Sequence, residues 1–205
     1  MTDEYTTLPN HLQPRDGMDK LNHYIARTIE HIHRVQKNMV YLTTNCRAKL
    51  ELNREDCRQL LFNVMKHDQS KFSVEQFEPY IELTEYYFQR KNLKNLAYEY
   101  PEGVKKKVDE AVIHHYKNEN HHPEIFEGTI GKWSKLEAIE TVCDLQAMAQ
   151  EFNEGTCRSY FENVWKMKES KYFYDDFNWV EVTAWMDAAI KCFERHEALN
   201  KIGAE

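Results

Sequence analysis

An all-α fold, a single bundle of about six to seven helices, is what this 205-residue sequence predicts. Three observations carry that expectation. Apolar residues recur every three or four positions along most of the chain, the mark of helices that bury one face. Only 6 Gly and 5 Pro are present, too few for the turns of a many-stranded β-sandwich or barrel. Apolar residues make up 41% and charged residues 30%, so a core coexists with a solvated surface and wholesale disorder is excluded. The length suits one domain. No repeat, low-complexity tract or linker divides it, so residues 1–18 read as an N-terminal arm and 19–205 as one helical domain.

The arm carries Pro9, Pro14 and Gly17 without periodicity and orders only where it docks. A first helix is expected from about Asp19, with Leu21, Ile25, Ile29, Ile32, Val35, Met39 and Leu42 on one stripe. A second fits roughly 47–67, with Leu50, Cys57, Leu60, Leu61, Val64 and Met65 inward, and stops at His67-Asp68. Ser73 and Gln76 form a capping-box pattern for a third, about 74–90, burying Phe77, Tyr80, Ile81, Thr84 and Tyr87. Pro79 kinks that helix or delays its start. After a loop from Lys91 to Gly103, a fourth helix places Val104, Val108, Ala111, Val112 and His115 on one stripe. Asn118 to Gly131 reads as irregular. Ser134 with Glu137 caps a fifth helix to about 152; a sixth covers 156–169 and a last one 178–197.

The net charge of −7 excludes an extended nucleic-acid surface and leaves room only for a local basic pocket. No apolar run reaches 18 residues, so no membrane helix is expected, and the acidic N-terminus is not a secretion signal. Five Cys without a Cys-x-x-Cys spacing read as reduced, mostly buried thiols of a cytosolic protein.

Chemistry concentrates in the histidines. His31 and His33 lie on the first helix, His67-Asp68 ends the second, His114 and His115 end the fourth, and His121-His122 follow. Each alone is unremarkable, since exposed helical His is common. Imidazoles and carboxylates converging from several helices are, however, how metal sites are built in bundle cores. Neighbours within a helix point about 100° apart and rarely share a ligand. At a helix C-terminal turn, a His-Asp pair can clamp one cation from two sides, and Lys71 can set an ammonium beside an anion on that cation. The plainer reading has Asp68 turning the chain and His67 facing the helix dipole.

These residues resemble the HD-domain superfamily, helical metal-dependent phosphohydrolases with ligands in the order His…His-Asp…Asp; His67, Asp68 and Asp144 match three of them. A closer resemblance is to an uncharacterised family of bacterial and phage proteins. Its pattern runs His-Ile-x-x-Val, His-Asp-x-Ser-Lys, His-x-x-x-Asn-x-His-His and Glu-x-x-Cys-Asp. Here these correspond to His31 to Val35, His67 to Lys71, His115 to His122 and Glu140 to Asp144, with Glu119 where the pattern has Asn. The resemblance covers roughly 19–195 and implies an HD-like fold with His31 as the first ligand. The Gly-Tyr-Pro of the cyclic-dinucleotide-cleaving branch is absent, which argues against that substrate. The extra histidines resemble those holding a second ion in two-metal members.

Helical-wheel geometry places His115 inward and His114 outward, and leaves the choice between His121 and His122 open. On the fifth helix Asp144 falls off the main stripe of Ala138, Ile139, Val142, Leu145 and Ala149 and groups with Glu140 and Glu137. That stripe is either a solvated acidic face or the polar side of a central helix. Leu136, Cys143, Ala147 and Met148 favour burial most of the way round.

The reading is metal-assisted hydrolysis of a small phosphate ester, a nucleotide by analogy. His31, His67, Asp68 and Asp144 are expected to hold a divalent ion (Mn, Co, Mg or Fe), and His115 with His121 or His122 a second ion or a proton for the leaving group. Lys71 is expected to stabilise transition-state charge, and Glu140 to act as general base or to support a ligand. Arg34, Arg158, Lys166 and Lys168 are further candidate phosphate contacts, and Tyr86, Tyr116 and Trp133 candidate stacking platforms; surface charge and core packing are their plainer readings. Two alternatives remain at this point: a dinuclear-iron oxygenase on the same fold, and a non-catalytic phage or bacterial protein that binds a nucleotide or a protein. The expected setting is the cytosol of a bacterial or phage-infected cell, as a monomer or homo-oligomer.

Overall fold

Asp16 starts the first helix. Its carboxylate accepts the Asp19 amide at 2.8 Å, and its carbonyl accepts that of Lys20. The computed structural model describes residues 15–122, 133–152, 155–165 and 178–202. Among these, seven α-helices and no strands are present, so the fold is all-α. Residues 1–14 of the expected arm lie outside the described residues.

Helix α1 (Gly17–Asn45) begins two residues before the expected start. Its buried arc is Tyr24, Thr28, His31, Ile32, Val35, Asn38, Met39 and Leu42. Ile29, expected inward, is 55% exposed: Tyr24, Thr28 and His31 hold the middle of the arc, which turns Ile29 toward solvent.

Helix α2 (Arg54–Lys66) starts seven residues later than expected, because Asn53 and Asp56 cap it reciprocally. The Asn53 side chain accepts the Glu55 and Asp56 amides at 2.7 and 2.9 Å, and the Asp56 carboxylate accepts the Asn53 amide at 2.8 Å. Leu60 and Val64 face inward, whereas Leu61 and Met65, also expected there, are exposed. A 3₁₀ turn, Gln69–Phe72, follows.

Helix α3 (Phe77–Tyr87) has no side-chain cap. The expected Ser73/Gln76 box does not form there, since the Gln76 amide pairs with His114 Nδ1 at 2.9 Å. Pro79 consequently falls in the first turn, where its missing N–H breaks no bond. Tyr80 and Thr84 are buried as expected and Tyr87 is exposed. The last turn widens into a π-turn over Phe88–Asn92.

Helix α4 (Val104–Asn118) buries Val108, Ala111 and His115. Helix α5 (Lys135–Phe152) has the Ser134/Glu137 box the sequence predicts, with the Glu137 carboxylate accepting the Ser134 amide at 2.7 Å. Helix α6 (Cys157–Tyr160) is capped by Thr156 and widens into a π-turn, Phe161–Trp165; positions 166–169 of the expected helix lie outside the described residues. Helix α7 spans Trp179–Ile202.

The chain forms two compact units. The first comprises residues up to Thr28 together with Lys71–His115, and its core joins Tyr24, Tyr80 and Ala111 to Phe72, Phe77 and Ile81. Within it the buried Glu85 carboxylate accepts Arg15 Nε at 2.9 Å and Gln89 Nε2 at 2.7 Å, and Arg15 lies over the Phe88 ring. The second comprises Ile29–Ser70 and residues from Tyr116 onward. Its core packs Val35, Met39, Leu42, Leu60 and Val64 with Ile139, Val142, Met186 and Ile190. Helix α5 is its centre: Glu140, Cys143, Gln146 and Ala147 are buried as well as the apolar stripe. Trp133 belongs to this core and is no stacking platform. No described helix is long and apolar enough to cross a membrane.

Candidate metal centre

Three elements of the second unit bring imidazoles and carboxylates together in its interior. Helix α1 supplies His31. Helix α2 ends at His67, whose backbone is already extended, and Asp68 follows with φ of +60°. That left-handed residue, tolerated better by a short polar side chain than by most, turns the chain sharply. Adjacent residues thereby become buried together, His67 and Asp68 each 1% exposed, which no pair inside a helix achieves toward one small ligand. Helix α5 supplies Glu140 and Asp144.

His31 Nε2 lies 3.1 Å from Asp144 Oδ1 and 3.4 Å from Asp68 Oδ2. His67 Nε2 is 3.7 Å from the same Asp68 oxygen. Donor atoms of His31, His67 and Asp144 all fall within 4.8 Å of one another. Around an ion with bonds of about 2.1 Å, neighbouring ligands stand roughly 3.0–3.4 Å apart. The two His31 contacts match that spacing and the His67–Asp68 separation is wider, so the group could close onto a divalent ion, which its hard and borderline donors suit. A hydrogen-bonded polar cluster is the competing description, and His67 is where a metal ion would add something to it. Its buried Nε2 has no hydrogen-bond partner among the described residues, a loss of about 1–3 kcal/mol if nothing compensates.

A second donor group adjoins the first. His121 is buried beside His67, with ring centroids 4.1 Å apart. The hydroxyl of Thr141 on α5 donates to the His121 carbonyl at 2.7 Å, and the His122 amide closes a turn onto the Glu119 carbonyl. Asp68, His121 and His122 offer atoms within 4.8 Å of one another, as do His67, His121 and Glu140. Asp68 thus faces both ways, Oδ2 toward His31 and His67, and Oδ1 toward His121 Nε2 at 3.9 Å.

The electrostatics favour positive charge at this place. Burial opposes protonation of His67, but Asp68, the hydrogen bond to Glu140 and the charge of Asp144 prevail and push its pKa up to about 9. Burial likewise opposes ionisation of Asp144, yet the hydrogen bond and charge of His31, with His67, hold it well below the usual carboxylate range.

Of the residues the sequence singles out, His31, His67, Asp68, Asp144, Glu140 and His121 come together in this unit. His122 is half-buried, with its ring 4.2 Å from that of His121 and 4.7 Å from that of Tyr116. His33 is exposed. Glu140 Oε1 faces Nδ1 of His67 at 3.2 Å and Nδ1 of His121 at 3.6 Å. The carboxylate expected to act as general base or to support a ligand thus has one oxygen turned to two imidazoles. Arg34 pairs with Glu30 one turn back at 3.4 Å. Arg158, expected to contact phosphate, has its guanidinium engaged by Asp187 at 2.6 Å and Glu194 at 3.0 Å on α7, so it joins helices instead. Lys71 and His115 belong to the first unit. Tyr24 donates its hydroxyl to the Lys71 carbonyl, the Lys71 ammonium lies 5.6 Å from the Tyr80 ring centre, and His115 packs edge-on to that ring. Lys166 and Lys168 lie outside the described residues.

Two carboxylates escaped the sequence reading. Glu151 Oε2 lies 3.8 Å from His31 Nδ1, and Glu119 Oε2 lies 4.0 Å from His121 Nδ1. Glu151 was within reach of that reading: Glu140, Asp144 and Glu151 share one arc of α5.

No curated protein matches the chain, and no solved structure does either. Residues 20–190, a span containing every donor of this cluster, match a family described as of unknown function (DUF5662), and the chain belongs to that family.

Proposed function

We propose that this protein is a metal-dependent phosphohydrolase acting on a small phosphate ester, with nucleotides the first substrates to test. The observation that carries the reading is the close approach of Asp144 and Asp68 to His31 Nε2, at 3.1 and 3.4 Å, beside a buried His67 Nε2 that no described residue satisfies. These four residues would hold a divalent ion, Mn, Co, Mg or Fe. When bound, such an ion polarises a phosphoryl oxygen and makes hydroxide available near neutral pH. His67 and Asp68 form the floor of the cluster, while the Asp144 side chain is 19% exposed. Substrate would therefore approach past Asp144, with the deep histidines shielding the cluster from water on its other sides. The order His…His-Asp…Asp resembles that of the HD phosphohydrolases, and hydrolysis is taken from them by analogy.

The two-sided placement of Asp68 favours a dinuclear form, with His121 and His122 on the second ion. An iron content near two per chain with a visible absorption band would select the oxygenase alternative.

Elemental analysis of gently purified wild type beside Asp68→Ala tests the ligand set. One or two equivalents of Mn, Fe or Co in wild type and none in a folded variant are expected. A metal-replete Asp68→Ala protein overturns it. Phosphate release from a nucleotide panel by the wild type reconstituted with that metal, and not by the variant, tests hydrolysis.

A further inference from the structure

Helix α5 carries more of the cluster than its one ligand. Glu140, Asp144 and Glu151 are spaced by four and seven residues, so at about 100° per residue they fall within an arc of roughly 40°. Asp144 sits in the middle of this row, and the two glutamates flank it in sequence. Each glutamate faces Nδ1 of a different ligand histidine: Glu140 that of His67 at 3.2 Å, Glu151 that of His31 at 3.8 Å. Both glutamates are largely buried, with side chains 5% and 11% exposed. His31 Nε2 is turned the other way, to Asp144 and Asp68.

We propose that Glu140 and Glu151 are positioning residues that hold the Nδ1–H of His67 and His31, so that both rings present Nε2 to one cation. This rests on the metal reading above. A carboxylate behind a ligand imidazole selects the tautomer, stops the ring from flipping and raises its basicity. Glu140 already stands at hydrogen-bond distance. The Glu151 contact is longer, and such contacts tighten when the site fills. One helix thereby supplies a ligand carboxylate and, through two glutamates three turns apart, fixes the orientation of two ligand rings whose centroids lie 5.8 Å from each other. This also assigns Glu140 a task other than general base: its inward oxygen already faces ring nitrogens of His67 and His121.

Glu151 gives the cleaner test because it is the further from the core. Mn²⁺ affinity of chelator-stripped protein is measured for wild type, Glu151→Ala and Glu151→Gln, with thermal melting of the metal-free forms. Loss of the carboxylate is expected to weaken Mn²⁺ binding about 10–100-fold. Glu151→Gln, whose amide oxygen still accepts Nδ1–H, is expected to recover most of that loss, with the metal-free melting temperatures alike. Nitrogen-15 spectra of the wild type are expected to show His31 as the Nδ1–H tautomer in the diamagnetic Zn²⁺ form. Equal affinity in Glu151→Ala and wild type overturns the assignment. So does equal weakening in both variants with a matching fall in metal-free melting temperature, the signature of a packing role. A wild type that binds no Mn²⁺ overturns the metal reading and this assignment with it, a failure distinct from a wild type that binds while Glu151→Ala binds equally.

Discussion

Glu85 and Asp68 show how differently two buried carboxylates are satisfied. Glu85 in the first unit is paired on both oxygens, by Arg15 and by Gln89. Removing it strands a guanidinium and an amide. Glu85→Ala is therefore expected to destabilise by about 1–3 kcal/mol, read as a lowered midpoint in urea, with metal content unchanged. Asp68 instead faces imidazoles on either side, an arrangement that asks for a cation. The candidate ligands were legible because their types and order form a motif: His31, His67, Asp68 and Asp144. Of the carboxylates beside them, Glu140 was legible in the same motif and Glu151 was not. Glu151 belongs to no motif, and its role depends on the ring direction of His31, which no spacing encodes. The demotion of Arg158 has the same origin, since its partners Asp187 and Glu194 are remote in sequence.

At the scale of elements, a capping box read from the sequence forms where its side chains have no better partner. Ser134 and Glu137 cap α5 as their spacing predicts. Ser73 and Gln76 share that spacing, but Gln76 is drawn to His114 across to α4. The α2 start was misplaced because Leu50 continues the apolar period into a turn that buries it without being helical. Helices α6 and α7 are tied by ions. Hydrogen bonds from Lys191 hold the Asp187 pKa below its ordinary value against partial burial, and Arg158 adds to this. A depressed folded pKa contributes stability that is complete above the unfolded value of about 3.9 and is lost as pH falls through the folded one. Melting temperature between pH 5 and pH 2 is therefore expected to fall less steeply in Asp187→Asn than in wild type. Equal slopes would show that the pairs contribute nothing, as many exposed ion pairs do.

For the molecule as a whole, the all-α class followed from composition and period alone, whereas the division into two units did not. Each unit is discontinuous in sequence: α1 divides between them at Thr28 and α4 at His115. A cation that binds only the folded second unit stabilises it in proportion to the logarithm of its concentration, by about 2.7 kcal/mol at a hundred times its Kd. Added Mn²⁺ is accordingly expected to raise the melting temperature of chelator-stripped wild type by several degrees and to leave Asp68→Ala unmoved. An unmoved wild type would count against the centre. The same discontinuity bears on biosynthesis. His31, His67 and Asp68 leave the ribosome early, but Asp144 follows more than 70 residues later, with the α5 carboxylates around it. A nascent chain lacking α5 has only part of the donor set, so a metal ion held there would be captured only once α5 has joined the earlier helices.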